Sequence, residues 1–400
     1  MSAAIRPSDD GAAIRRTILL LSVCGFASAL SSRFVDPMVG AIARDVSADP
    51  HNVALLATAY ALPYALIQPI LGPVGDAIGK ERILKLLLAG LTLSLAGAAL
   101  STDLTMLAIF RVLSGATAGG IIPLSLATIG DRVAMGERQV AIGRFLTATI
   151  SGQLLGGVGA GLLADFASWR GVFWIASGIS IAAMAAVAAG FRRANVAAGR
   201  FSLAVAGARY RQILGMGRAR ALFLFVFAEG VLVFGVPPYL APLLEDAGLG
   251  GPTQAGLIVA GFAVGGIVYT LIVRWLLGLL GLGRLLKLGG IVTAGAFLCL
   301  APTLAWPFQA AAMFALGLGF YMLHNSYQTQ VTEVVPDARA SAVALHAFSF
   351  FIGQAIGPVM FGALLSQLGR AAALPILAIG LVALGFVSSR ILAGAAPRPL

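Results

Sequence analysis

Charge is what this chain has least of. Asp, Glu, Lys and Arg make up only 11% of its 400 residues, where a soluble domain carries about 25%. So few charges cannot clothe a water-soluble protein of this size. With 59% hydrophobic residues, its natural solvent is lipid. Cysteine is scarce too. Cys24 and Cys299 both fall inside apolar runs, which argues against a disulfide framework or a thiolate metal site. With only three histidines, no metal and no cofactor is expected. The run Gly75-Asp76-Ala77-Ile78-Gly79-Lys80 lacks the spacing of a phosphate-binding loop and is followed by Glu81, so no ATP-hydrolysing module is expected. No cleavable signal peptide is expected either, because the first apolar run, from near Arg16, is long enough to span a bilayer.

What is present is a series of apolar runs. A membrane span needs about 20 apolar residues, and twelve runs qualify. In the first half they cover 17–41, 52–73, 83–101, 104–129, 140–164 and 171–190 (spans 1–6). In the second half they cover 220–243, 253–276, 285–303, 306–329, 341–366 and 372–391 (spans 7–12). The net charge of +11 could suggest nucleic acid, but its distribution excludes that. With the N-terminus placed in the cytoplasm, Arg44, Arg170 and Arg370 fall on the far side and Arg33 and Arg111 fall within spans. Every other basic residue is cytoplasmic. Such a bias predicts both termini inside. Residues 191–219 carry a run of arginines and no acid, and read as a cytoplasmic linker between a bundle at 1–190 and another at 220–400.

The halves echo one another. Gly152-Gln153-Leu154-Leu155-Gly156-Gly157-Val158 returns as Gly353-Gln354-Ala355-Ile356-Gly357-Pro358-Val359, and Gly161 returns as Gly362. Each copy lies in the fifth span of its half. Two copies of one membrane unit fit alternating access, in which similar halves rock about a central site.

Three motifs share a resemblance. Between spans 2 and 3, Gly72, Asp76 and Gly79 with the basic Lys80 and Arg82 match the loop G-x-L-x-D-R-x-G-R-K/R, with Ala77 in place of the first arginine. Arg111 of span 4 sits in Leu107-x-x-x-Arg111-x-x-Ser114-Gly115, close to L-x-x-x-R-x-x-Q-G. Gly143, Gly152, Gly156 and Gly161 of span 5 follow G-x8-G-x3-G-P-x2-G-G, with Gly157 where the pattern has proline and Ala160 where it has glycine. Together these resemble the major facilitator superfamily, and the span-5 pattern resembles its drug:proton antiporter and sugar-efflux branch. The resemblance implies an all-α fold of twelve helices in two pseudo-symmetric six-helix bundles. It also implies a cytoplasmic loop around Asp76 that latches one conformation shut.

Only Arg33, Asp36, Arg111 and Glu229 place charge deep in spans. Such residues are functional candidates, because an ionisable group in hydrocarbon is costly. Arg33 and Asp36 are three apart and share a helix face. Pro37 cannot continue the hydrogen-bond ladder and loosens the helix there. Asp36 is therefore a candidate proton carrier with Arg33 or Arg111 as its partner, or else one side of a permanent tether. Glu229, near the middle of span 7, the counterpart of span 1 in the second half, is the second proton-coupling candidate. Tyr60, Tyr64 and Gln68 form one stripe on span 2; Tyr321, His324, Asn325 and Gln328 form another on span 10. With Gln354 they are the candidate cavity lining. His346 is a weaker candidate. Phe223, Phe225, Phe227 and Phe234 are expected to face lipid.

The expected function is proton-coupled efflux of a small organic compound by a monomeric, multi-pass protein of a bacterial inner membrane. Partners are the substrate, protons and the bilayer. Two alternatives stand: a symporter importing an organic anion held by Arg33 and Arg111, and a membrane sensor that binds without transport.

Overall fold

The computed structural model describes residues 7–133, 135–191, 203–302, 304–334 and 339–393. Every regular element among them is helical. Spans 1–7 are Ile14–Asp45, Pro50–Leu71, Lys80–Ala99, Leu104–Arg132, Ala141–Ala164, Ser168–Gly190 and Gly217–Asp246. Spans 10–12 are Trp306–Val331, Ser341–Leu368 and Arg370–Ala393. Between them lies Pro252–Leu300, 49 residues long. At 1.5 Å per residue a straight helix of that length would reach about 74 Å, over twice the hydrocarbon thickness. It turns at Gly281, whose φ of 66° and ψ of 168° are not helical. A left-handed φ suits glycine, which has no Cβ to clash. Spans 8 and 9 lie on either side of that turn. The expected twelve helices are therefore present, with the spans 5–6 corner at Ser168 as the matching bend (φ 57°). The basic linker contributes a helix, Leu203–Gly215, whose Tyr210 hydroxyl donates to the Pro69 carbonyl of span 2.

The glycine echo has a structural meaning. A Cβ added at Gly152 or Gly156 would run into the Phe26 and Leu30 carbonyls of span 1. One added at Gly353 or Gly357 would run into the Phe227 and Val231 carbonyls of span 7. In each half the fifth span thus lies backbone-to-backbone on the first, a contact that small residues permit in lipid. Gly161 and Gly362 do something different. Gly161 abuts Pro252 and Gly256 of span 8, and Gly362 abuts His51 and Tyr239. The contacts of Gly161 with span 8 and of Gly362 with His51 cross between the halves, at the end of the molecule where span 1 finishes at Asp45.

That end is closed. Arg44 forms an ion pair with Glu245, the Tyr239 hydroxyl lies 3.4 Å from His51 Nδ1, and the Thr58 hydroxyl donates to the Ala355 carbonyl at 2.6 Å. Leucine at Gly161 or Gly362 is expected to wedge it apart. Overpacking of this kind costs about 1–3 kcal/mol, enough to shift a two-state equilibrium by about 5- to 150-fold. Ala241→Cys, buried on the span-7 segment at that end, labelled with a water-soluble maleimide checks this: faster labelling in the wedged variants than in Ala241→Cys alone is the expected outcome.

Candidate functional site

Span 1 is not one helix. Its first segment ends at Arg33, a 3-10 turn covers Asp36–Met38, and a helix resumes over Val39–Asp45. The Met38 amide donates to the Val35 carbonyl at 2.8 Å. Pro37 supplies the break, as its sequence position predicts. Span 7 breaks at the matching place, between Gly217–Phe234 and Pro237–Asp246. There the Tyr239 amide donates to the Val236 carbonyl at 3.0 Å. Interrupted helices at this depth occur where the backbone borders a cavity or is buried in protein.

A cavity of about 110 Å³ lies beside these breaks. Arg33 and Asp36 form its charged corner. From the first half, Ile150, Gln153 and Leu154 of span 5 also line it. The second half contributes Val233, Phe234 and Pro237 of span 7, Val259 to Thr270 along one face of span 8, and Met313, Leu316 and Tyr321 of span 10. It is thus an apolar chamber between the halves with one charged corner.

Arg33 joins the halves at that corner. It donates to Gln354 of span 11, its guanidinium carbon lies 4.3 Å from the centroid of the Phe234 ring, and its Nη1 is 3.5 Å from Asp36 Oδ2. The stacking is a cation–π contact. Asp36 is 2% exposed, and its Oδ2 makes no hydrogen bond among the described residues. Arg111 lies a layer deeper in the first half and is fully buried. It donates to the Ser31 carbonyl at 3.0 Å and lies 4.2 Å from the Tyr60 ring centroid. The Tyr60 and Ser31 hydroxyls are 3.1 Å apart. Asp36 therefore pairs with Arg33, while Arg111 is held by span 1 backbone and a ring.

In the second half, Glu229 is fully buried. Its Oε2 is 2.9 Å from His324 Nδ1, so the span-7 acid has a partner on span 10. His324 stacks on Phe320 and lies against Phe350 and His346. His346 Nε2 and Glu229 Oε1 make no hydrogen bond among the described residues.

The remaining candidates fall in different places. Tyr321 lines the cavity. Tyr60 and Tyr64 are buried but do not line it, and Tyr64 meets Phe351 of span 11. Gln68 is buried, Asn325 is partly buried, and Gln328 is exposed. All three lie off the cavity lining. Three of the four span-7 phenylalanines depart from the expectation of lipid exposure. Phe223, Phe225 and Phe234 are buried, because Phe225 meets Tyr327 and Phe234 sits under Arg33. Ser31, Phe234 and Gln153 are site residues that spacing along one helix did not single out. Gln153 was nonetheless visible as the repeat partner of Gln354.

The span 2–3 loop turns at Gly79, with φ 100°. Lys80 pairs with Asp131 at 2.7 Å, and Glu81 with Arg132. Both pairs tie span 3 to span 4 within one half. Arg82 is exposed. Gly72 and Asp76 belong to the helix that continues span 2, but the Asp76 side chain lies outside the described residues, and so does any latch it forms. Gly143 meets open space, and Gly157 faces Val259 of span 8.

Comparison with known proteins places this architecture. The sequence profile of the Major Facilitator Superfamily matches residues 21–358 and 221–398. The chain is 24% identical over 387 residues to the MFS-type transporter YwfA of Bacillus subtilis, covering 93% of this chain and 90% of that one. It is 35% identical over 137 residues to a triacylglyceride transporter of Mycobacteroides abscessus, covering 34% of this chain and 27% of that one. Its fold is similar to the crystal structure of the nucleoside transporter NupG, with a TM-score of 0.77 at 14% identity, covering 96% of this chain and all of that one. The chain belongs to the major facilitator superfamily of transporters.

Proposed function

We propose that this multi-pass transporter exports a small organic compound in exchange for protons, with both termini in the cytoplasm of a bacterium and Asp36 as the coupling carboxylate. One observation carries the reading: a buried carboxylate in the cavity wall, ion-paired to the arginine that bridges to the opposite half. Protonating Asp36 removes the charge that holds Arg33 on its own side and leaves Gln354 and Phe234 as its partners. Binding of substrate or proton is thereby linked to the contact between the halves. That link is what coupling requires, since a ligand shifts a conformational equilibrium only by its differential affinity for the two states.

With both termini cytoplasmic, the Asp45 end is the outer end, and the structure is closed on that side. Glu229 and His324 form a second proton-holding pair in the other half, away from the cavity lining. Glu229→Gln is expected to slow gradient-driven transport while leaving substrate binding near the wild-type level, because the pair does not touch the chamber. Equilibrium binding and flux measured on the same preparation check that split. The relatives bear names as different as triacylglyceride and nucleoside transporters, so the substrate has to be argued from the chamber itself.

The test is purified protein in liposomes with a pH-sensitive dye inside, challenged with cationic, neutral and anionic compounds. Proton movement opposite to substrate flux is the expected result. Movement in the same direction, confined to anions, would establish a symporter instead. Binding of a compound with no flux of substrate or proton would establish a sensor.

A further inference from the structure

The two seams between the halves are not alike. Spans 2 and 11 form one, and spans 5 and 8 the other. The first is filled near the cavity by Tyr64 on Phe351, with ring centroids 4.3 Å apart. The repeat identifies the matching positions of the second. Phe351 stands two residues before Gly353, as Ile150 stands two before Gly152. Tyr64 is as far beyond Pro50 as Gly266 is beyond Pro252, the residues that open spans 2 and 8. One seam holds two aromatic rings where the matching positions of the other are an isoleucine and a glycine, the glycine lying against the Tyr321 ring of span 10.

The consequence is visible along spans 5 and 8. Ile150 and Ile267 line the cavity and are also 38% and 42% exposed. They border the chamber and the outside at once. Leu154, Val259 and Ala263 continue that wall, with Gln153 and Thr270 as its polar members. The neighbouring Leu146 and Val264 are exposed as well. A mouth onto water is rimmed by polar groups, whereas a mainly aliphatic rim suits hydrocarbon. At the inner end, Arg33 is already engaged by Gln354 and Phe234. Asp36 Oδ2 faces Arg33 Nη1 at 3.5 Å and makes no hydrogen bond among the described residues, so the carboxylate is the group in that corner with hydrogen-bonding capacity to spare.

We propose that spans 5 and 8 frame a portal from the bilayer, and that the substrate is a single-chain amphiphile with a cationic head. Its head sits at Asp36 and its tail passes between the two spans. The head assignment rests on Asp36 being the coupling carboxylate, as proposed above; the portal rests on the seam alone.

The test uses the full-length protein in nanodiscs whose lipids carry bromine on the acyl chains, which quench tryptophan on contact. Ile150→Trp, Phe351→Trp and the lipid-exposed control Leu155→Trp are compared after subtracting the signal of the native tryptophans. Ile150→Trp is expected to be quenched as strongly as Leu155→Trp, and Phe351→Trp not at all. Dodecylammonium should relieve the Ile150→Trp quenching more than hexylammonium does, and half-relief should need a several-fold higher concentration in a second variant that also carries Asp36→Asn. Protection of Ile150→Trp from bromine, with quenching by aqueous iodide instead, would overturn the portal even in a protein that transports normally. Relief by dodecanoate but not by dodecylammonium would overturn the cationic head. Normal quenching and relief in a protein that moves no protons would leave the portal standing and sink the antiport reading.

Discussion

Asp36→Asn should leave a folded, membrane-inserted protein that binds substrate and exchanges it across the bilayer, but no longer drives it against a gradient. Asparagine keeps the shape of the side chain and loses the titratable charge, so proton-driven flux should fall to the level of protein-free liposomes. Stability should suffer less than the ~3–5 kcal/mol typical of breaking a buried ion pair. Arg33 would retain its hydrogen bond to Gln354 and its place over the Phe234 ring, so its charge is not stranded. Flux under an imposed pH gradient, beside substrate counterflow without one, is the pair of measurements that checks this. Loss of both would show instead that Asp36 is needed for the fold or for holding substrate at all, and not for coupling alone. Undiminished gradient-driven flux would remove it from coupling altogether.

The second large effect is on assembly. Leucine at Gly156 or Gly357 should prevent the protein from accumulating in folded form. At both positions a side chain would drive into a backbone carbonyl of the neighbouring first span, Leu30 in one half and Val231 in the other. A flexible side chain can move aside, but a helix backbone cannot without separating the two spans along their length. Separation forfeits the close packing that holds membrane helices together. Gly143→Ala and Gly159→Ala are the controls, since a Cβ at either meets nothing within 4 Å. Alanine in a helix interior is favoured over glycine by roughly 0.5–1 kcal/mol, so these variants should be as stable as the parent or slightly more. Thermal unfolding in detergent, followed by size-exclusion profile, separates the two classes.

The contrast among these glycines shows what the sequence can and cannot reveal. All belong to one motif-bearing span, yet Gly143 does nothing visible, Gly152 and Gly156 pack within a half, and Gly161 packs between halves. Spacing predicted a small-residue surface. It could not say which neighbour each residue meets, because that depends on a helix brought in from elsewhere in the chain. The spans themselves were legible, since hydropathy over about 20 residues is a local property. The break in span 1 was legible for the same reason, because Pro37 acts on its own helix. Pairings were not. Glu229 and His324 each stood out as unusual in a span, but nothing in the linear order joined them. Phe234 was misread because burial under an arginine from the other half leaves no trace in the periodicity of span 7. Gln153 shows the opposite case: the repeat carried the information, and the partner of Gln354 could have been read directly from it.

The central claim is that substrate and proton compete for one carboxylate, and this can be measured without transport. Substrate, once identified, is added to unbuffered purified protein in detergent and the release of protons into solution is recorded. The account predicts that binding expels a proton from the wild type and none from Asp36→Asn, with both proteins binding. Equal release from both, or binding to the wild type with no release, would contradict it.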